Sequence, residues 1–216
     1  MAIELNVSGD FNTILDSFEE VTLHRRGSAD TVVVPKAWRF SSQTDEAMSG
    51  VAEVARSEVV WQFAWDESLA KPVIGDKIIG GSGECWTILS IGELGSKTRL
   101  RCLSRNLHLM HGLENRVDIQ QAIWEDSGGG PEIVGWSLLR SAVPARIQPD
   151  RITVNSEADP PTSTATYRVV LGEELVLDHN HRVVGIDGAV YQVIDFTQAE
   201  RHDVLPIATV VRLVNP

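Results

Sequence analysis

The sequence predicts a mainly β protein, built as two tandem small β-barrel or sandwich domains with long loops and a short N-terminal helix. Three observations carry that prediction. Runs with alternating apolar residues recur at roughly 8 to 15 residue spacing, as short antiparallel strands do. One segment alone, near the start, has convincing helical periodicity. One hairpin is also written twice: 76–91, DKIIGGSGECWTILSI, falls without a gap on 181–196, HRVVGIDGAVYQVIDF, an offset of 105 positions (181 − 76).

In the second copy the strand-like runs RVV and AVYQVI flank Asp187-Gly188, and Asp-Gly between alternating apolar runs is a strong hairpin signal. The repeat extends in one order beyond the hairpin, which separates duplication from coincidence. The segment 57–68 parallels 163–174, pairing Trp61 with Tyr167 and Phe63 with Val169. VPKAWRF (34–40) resembles VPARIQP (143–149), and TRLRCLS (98–104) sits where ATVVRLV (208–214) sits. The expected units are a first β domain over 1–107, a joint over 108–116 and a second β domain over 117–216.

Taken in order, 10–20 (DFNTILDSFEE) sets Phe11, Ile14, Leu15 and Phe18 on one helical face behind Asp10 as N-cap. VTLHRR and TVVVPKAWRF read as strands about the turn at Gly27. The stretch 41–57 is polar, with Met48, Val51 and Val54 as its larger apolar residues. Its counterpart 150–166 carries Pro160-Pro161 together with Ile152 and Val154. Both read as long excursions at one topological position, where functional or flexible surface is usual. In the second unit, strands at 117–126 and 133–147 flank the turn SGGGPE, and RVVL, the hairpin and ATVVRLV complete the domain.

Composition narrows the function. Net charge is −11, split as 11 basic against 15 acidic residues over 1–108 and 8 against 15 over the remainder. Neither half is a basic nucleic-acid module. No run approaches the ~20 apolar residues that span a bilayer, and the start lacks the form of a signal peptide, so a cytosolic address is expected. Cys85 and Cys102 then read as reduced, buried and inert.

The search for chemistry ends without a catalytic, cofactor or metal site. The pairs His108/His111 and His179/His181 lack a third ligand nearby, and His179-Asn180-His181 is far shorter than an HNH nuclease motif. Gly80-Gly81-Ser82-Gly83 has no following helix or Lys-Ser/Thr, so it is a hairpin turn and not a phosphate cradle. Ser137 and Ser141 have no Gly-x-Ser-x-Gly setting. Six tryptophans keep a carbohydrate-binding accessory module open. Trp61 and Trp86 instead fit core packing, and Trp124 and Trp136 flank SGGGPE and could face each other across a hairpin.

AVPARIQP, an excursion, TYRVVL and HRVVGIDGAVYQVIDFTQAERHDVLPIATVVRL together resemble the head-closure (stopper, or head-to-tail joining) proteins of tailed bacteriophages. The matching residues are Arg146 to Pro149, Tyr167 to Leu171, Arg182 to Ile194 and Val210 to Leu213, over roughly the last 95 residues. Unit one is similar to a diverged copy, with Trp38-Arg39-Phe40 where the Arg-x-x-Pro strand belongs.

The resemblance implies a non-enzymatic virion or prophage protein of the head-tail connector, located in the neck and in host cytoplasm before assembly. It implies a homo-oligomeric ring below the portal, docked to portal or adaptor ring and tail proteins, through which DNA could pass, with no membrane partner. Family members are usually single units. Six copies of a doubled chain would match the barrel number of a twelve-fold ring, while twelve copies would double it. A tail-terminator or other tail ring protein is the nearest alternative. Met48, Val51, Val54, Ile152 and Val154 are the candidate partner-interface residues, since excursions carrying them could bury them on assembly.

Overall fold

The computed structural model describes residues 18–41, 57–65, 70–94, 98–126, 128–155 and 162–213. The strands are β1 (Phe18–His24), β2 (Thr31–Ser41), β3 (Glu58–Ala64), β4 (Lys77–Ile79), β5 (Cys85–Leu94) and β6 (Arg99–Arg105), then β7 (Asn115–Asp126), β8 (Pro131–Asn155), β9 (Thr162–Leu171), β10 (His181–Gly185), β11 (Val190–Thr197) and β12 (Ile207–Arg212). A short helix, α1 (Leu107–His111), precedes β7. The chain divides into compact units at 1–110 and 111–216. The expected joint at 108–116 therefore contains most of α1, the left-handed Gly112 and the first residues of β7.

Each unit is a closed antiparallel barrel of six strands, in the order β1-β2-β3-β6-β5-β4 and β7-β8-β9-β12-β11-β10. Closure comes from β1 with β4 and from β7 with β10. The two orders are the same once strands are counted from each unit's start, so the duplication extends to topology. It extends to register as well. Ile78 faces Trp86 as Val183 faces Tyr191. A bulge interrupts β5–β6 between Ile88 and Ser90, and β11–β12 between Val193 and Asp195, at the same offset.

The register also corrects the sequence alignment elsewhere. Trp61 lies opposite Cys102 and Arg39, and Val169 lies opposite Ala208 and Ile147. The counterpart of Trp61 is thus Val169, two residues beyond Tyr167, and Cys102 corresponds to Ala208 and not to Arg212. Both slips are even. A strand has period two, so an even slip keeps every inward residue inward and alternation cannot detect it. In β2 a one-residue bulge between the Val21–Val34 and Glu19–Ala37 pairs breaks the gapless match with 143–149.

Each barrel encloses its own core. The first holds Leu23, Trp61, Phe63, Ile78, Trp86, Ile88 and Leu100, and the second Ile119, Val143, Val169, Leu171, Val183, Tyr191 and Val210. Full burial of one such side chain stabilises by about 1.5–3 kcal/mol. These residues occupy alternate positions because inward and outward sites alternate along barrel strands.

The expected N-terminal helix over 10–20 falls largely outside the described residues, and its end is not helical. Phe18, Glu19 and Glu20 are in β1, where Phe18 pairs with Trp38 and Glu19 with Ala37. The expected excursion at 150–166 is also corrected. Residues 150–155 continue β8 and 162–166 begin β9, paired from Arg151–Thr166 to Asn155–Thr162. Arg-Ile-Thr-Val carries three consecutive β-branched residues and Thr-Ser-Thr-Ala-Thr alternates them, which suits a ribbon as well as a loop.

Candidate assembly surface

The second barrel carries an arm with no counterpart among the described residues of the first. The last pair joining β7 to β10 is Gln121–His181. Beyond it, among the described residues, Ile123–Asp126 and Pro131–Gly135 pair only with each other, out to Asp126–Pro131. The left-handed glycines Gly128 and Gly130 make the tip, where the Gly128 N–H donates to Asp126 Oδ1 at 3.0 Å. A two-stranded ribbon has two open faces and no core of its own.

Its residues are nevertheless apolar. Ile123, Trp124, Ile133 and Val134 are exposed, as are Leu138 and Leu139 at its base. Large apolar side chains left this exposed on one element are of the kind that mark interaction surfaces. Around the tip, Glu125 sits directly opposite Glu132, beside Asp126. Like charges in opposed positions destabilise a ribbon.

Barrel residues orient the arm. The Arg182 guanidinium lies over the Trp136 ring at 4.3 Å, and its Nε donates to Gln120 Oε1 at 2.7 Å. The Ala122 N–H donates to the Asn180 carbonyl at 2.8 Å, and the Ser137 hydroxyl donates to the Gln121 carbonyl at 3.3 Å. Below these contacts β8 bends at Ala142, where φ is 54°. The Asp118 carboxylate accepts the Ala142 N–H at 2.9 Å and holds that turn.

Of the expected partner-interface residues, Met48, Val51 and Val54 lie outside the described residues. Ile152 is on the β8–β9 ribbon and 69% exposed, and Val154 is in β8 opposite Ser163. Ile152 therefore projects from a paired strand. The six arm residues were missed by sequence reasoning, which treated 117–126 and 133–147 as ordinary barrel strands. Their signal was length, because β7 and β8 have 12 and 25 residues against 5 and 8 for β10 and β11.

The other candidates have structural roles. Trp61, Trp65 and Trp86 are buried, so they offer no sugar-stacking face. Trp124 and Trp136 do not face each other: Trp124 pairs with Ile133 and Trp136 with Ala122. Gly80 to Gly83 close the β4–β5 turn, with the Gly83 N–H donating to the Gly80 carbonyl and Gly83 at φ 83°. His181 is buried, its Nδ1 lying 2.7 Å from Asp178 Oδ1, while His179 is exposed. Among the described residues no three His, Cys, Asp or Glu side chains converge on a metal position. Burial pushes the Cys85 thiol up, and burial followed by the Asp76 charge pushes Cys102 up to about 12. No described helix is long and apolar enough to cross a membrane.

No protein-family model and no curated protein matches the chain.

Proposed function

We propose that this chain is a structural protein of the head-tail connector of a tailed bacteriophage, closing the head below the portal by ring assembly and docking the tail. The observation that carries the reading is where the resembling segments fall. Arg146 to Pro149 lie in β8, Tyr167 to Leu171 are the end of β9, Arg182 to Ile194 span β10–β11, and Val210 to Leu213 cover the end of β12. Four separated stretches of sequence thus become neighbouring strands of one barrel.

The surroundings of that barrel support the reading. The β7–β8 arm and the β8–β9 ribbon place exposed apolar side chains beyond the barrel wall, as a protein working through contacts requires. The doubled barrel suggests six chains where a single-unit ring would use twelve. A closed barrel has no free edge, so ring contacts fall to the appendages and outer faces.

The test is the native mass and negative-stain image of the purified chain mixed with the portal complex of the same phage. A ring of six chains on the portal is expected. Failure to bind the portal at any ratio would overturn the reading, and binding only to purified tail tubes would move the protein to the tail-terminator class.

A further inference from the structure

We propose that the open edge of β8 from Glu132 to Arg140 is a self-association surface, where two copies of this chain pair antiparallel about a two-fold axis at Trp136. Each Glu132 then lies opposite Arg140 of the other copy.

The edge is open because β8 uses only one of its sides there. From Pro131 to Arg140 it pairs with β7, and β9 joins its other side only from Ala145. Among the described residues, the first backbone contact on that side is at Pro144, whose carbonyl accepts the Gly172 N–H at 2.7 Å. Proteins blunt such edges with lysines, prolines or charges within the strand. The stretch Ile133 to Leu139, IVGWSLL, has none of these, and its bulges at Val134 and Leu139 leave Gly135–Leu138 regular between them. Within the strand itself the flanking charges are Glu132 and Arg140, at its two ends, while Arg182 of β10 covers the Trp136 ring.

Those end charges select both the partner and the register. In antiparallel self-pairing, opposed residue numbers have a constant sum. A sum of 272 centres the pair on Trp136 and sets Glu132 opposite Arg140 twice, Ile133 opposite Leu139 and Val134 opposite Leu138. A shift to 270 places Glu132 against Leu138, and a shift to 274 places it against Ala142, so both ion pairs are lost. The axis also falls within Gly135–Leu138, the regular stretch between two of the three register shifts of β8 against β7.

Both charges are available. Arg140 reaches Glu173 only at 3.9 Å, with both side chains well exposed, a pair that water screens almost fully. Glu132 faces Glu125 within its own hairpin, so an arriving guanidinium offsets a like-charge contact. Two ribbons, each marginal alone, become one four-stranded β7-β8-β8-β7 sheet.

A two-fold contact closes on itself and cannot propagate a cyclic ring. The pairing therefore belongs to the free protein, and it stands or falls independently of the connector reading.

Sedimentation of the purified full chain over a concentration series tests it. The wild type is expected to dimerise, while Glu132→Arg and Arg140→Glu each raise Kd about tenfold or more, equivalent to ~1.4 kcal/mol across two repulsive pairs. An equimolar mixture of the two variants should associate like wild type, because every Glu132 or Arg140 site then meets its opposite charge. Unchanged melting temperatures would verify that both variants fold. A wild type that stays monomeric, a dimer indifferent to either reversal, or a mixture no tighter than its components would each overturn the proposal.

Discussion

Arg182 of β10 covers the Trp136 ring of β8 at 4.3 Å and donates to the Gln120 side chain of β7 at 2.7 Å, so one residue joins barrel and arm. Its half-buried guanidinium combines a cation–π contact with a charged hydrogen bond, together worth about 1–2 kcal/mol in such a setting. Arg182→Ala should lower barrel stability by about 1–2 kcal/mol and make the arm several-fold more sensitive to chymotrypsin at Trp136. Denaturant melts and timed digests measure both. Equal digestion of variant and wild type would show that Arg182 does not hold the arm.

The Asp76 carboxylate is fully buried and holds the approach to the β4–β5 hairpin together. It accepts from Arg25 Nη1, the Arg26 N–H and the Val73 N–H, each at 2.9 Å. Asp76→Ala leaves Arg25 without its buried partner and should cost about 3–5 kcal/mol. Hydrogen exchange should rise in β1, β4 and β5 while β7–β12 stay protected, since the second barrel has its own core. Loss of protection across both units would contradict that independence.

The Cys102 thiol, pushed up to about 12 by burial and then by Asp76, makes stability depend on alkaline pH. The unfolded thiol titrates near ~8.5, so the folded state retains the proton to higher pH. The sign follows: this contribution is fully present below ~8.5 and is lost as pH rises through about 12. Cys102→Ala should flatten the fall in stability between about pH 9 and pH 12 in denaturant titrations. An identical alkaline limb in both proteins would refute the assignment.

Ala142 is the single non-glycine residue with positive φ among the described residues, at 54°. A β-carbon in that conformation costs about 1–2 kcal/mol, against about 0.5–1 kcal/mol of extra entropy for an unfolded glycine. Ala142→Gly should therefore stabilise by up to about 1 kcal/mol, and Ala142→Val should destabilise. Chemical denaturation of the two variants gives the comparison.

How much of this was legible follows from what periodicity can report. Alternation located the strands, and Asp187-Gly188 placed the β10–β11 turn, where Gly188 has φ 78°. The Ile78–Trp86 and Val183–Tyr191 pairs kept the sequence offset because a tight turn fixes register. No tight turn joins β3 to β6 or β9 to β12, so Trp61 was matched to Tyr167 when its counterpart is Val169. Polarity concealed the ribbon at Arg151–Thr166, where threonines serve as strand residues. The arm was hidden differently: Ile123, Trp124, Ile133 and Val134 read as core residues, and only the pairing shows that the barrel ends at Gln121. Phe18 fitted a helical stripe, yet its pairing with Trp38 in β1 supplies tertiary contacts that override local propensity.

The count of chains in the portal-bound assembly tests the central claim most directly. On the proposed connector reading, native mass of the chain mixed with a portal complex should give six chains in one ring, two barrels from each. Twelve chains around a single ring would contradict the six-chain account, and a chain that never joins the portal would contradict the connector function itself.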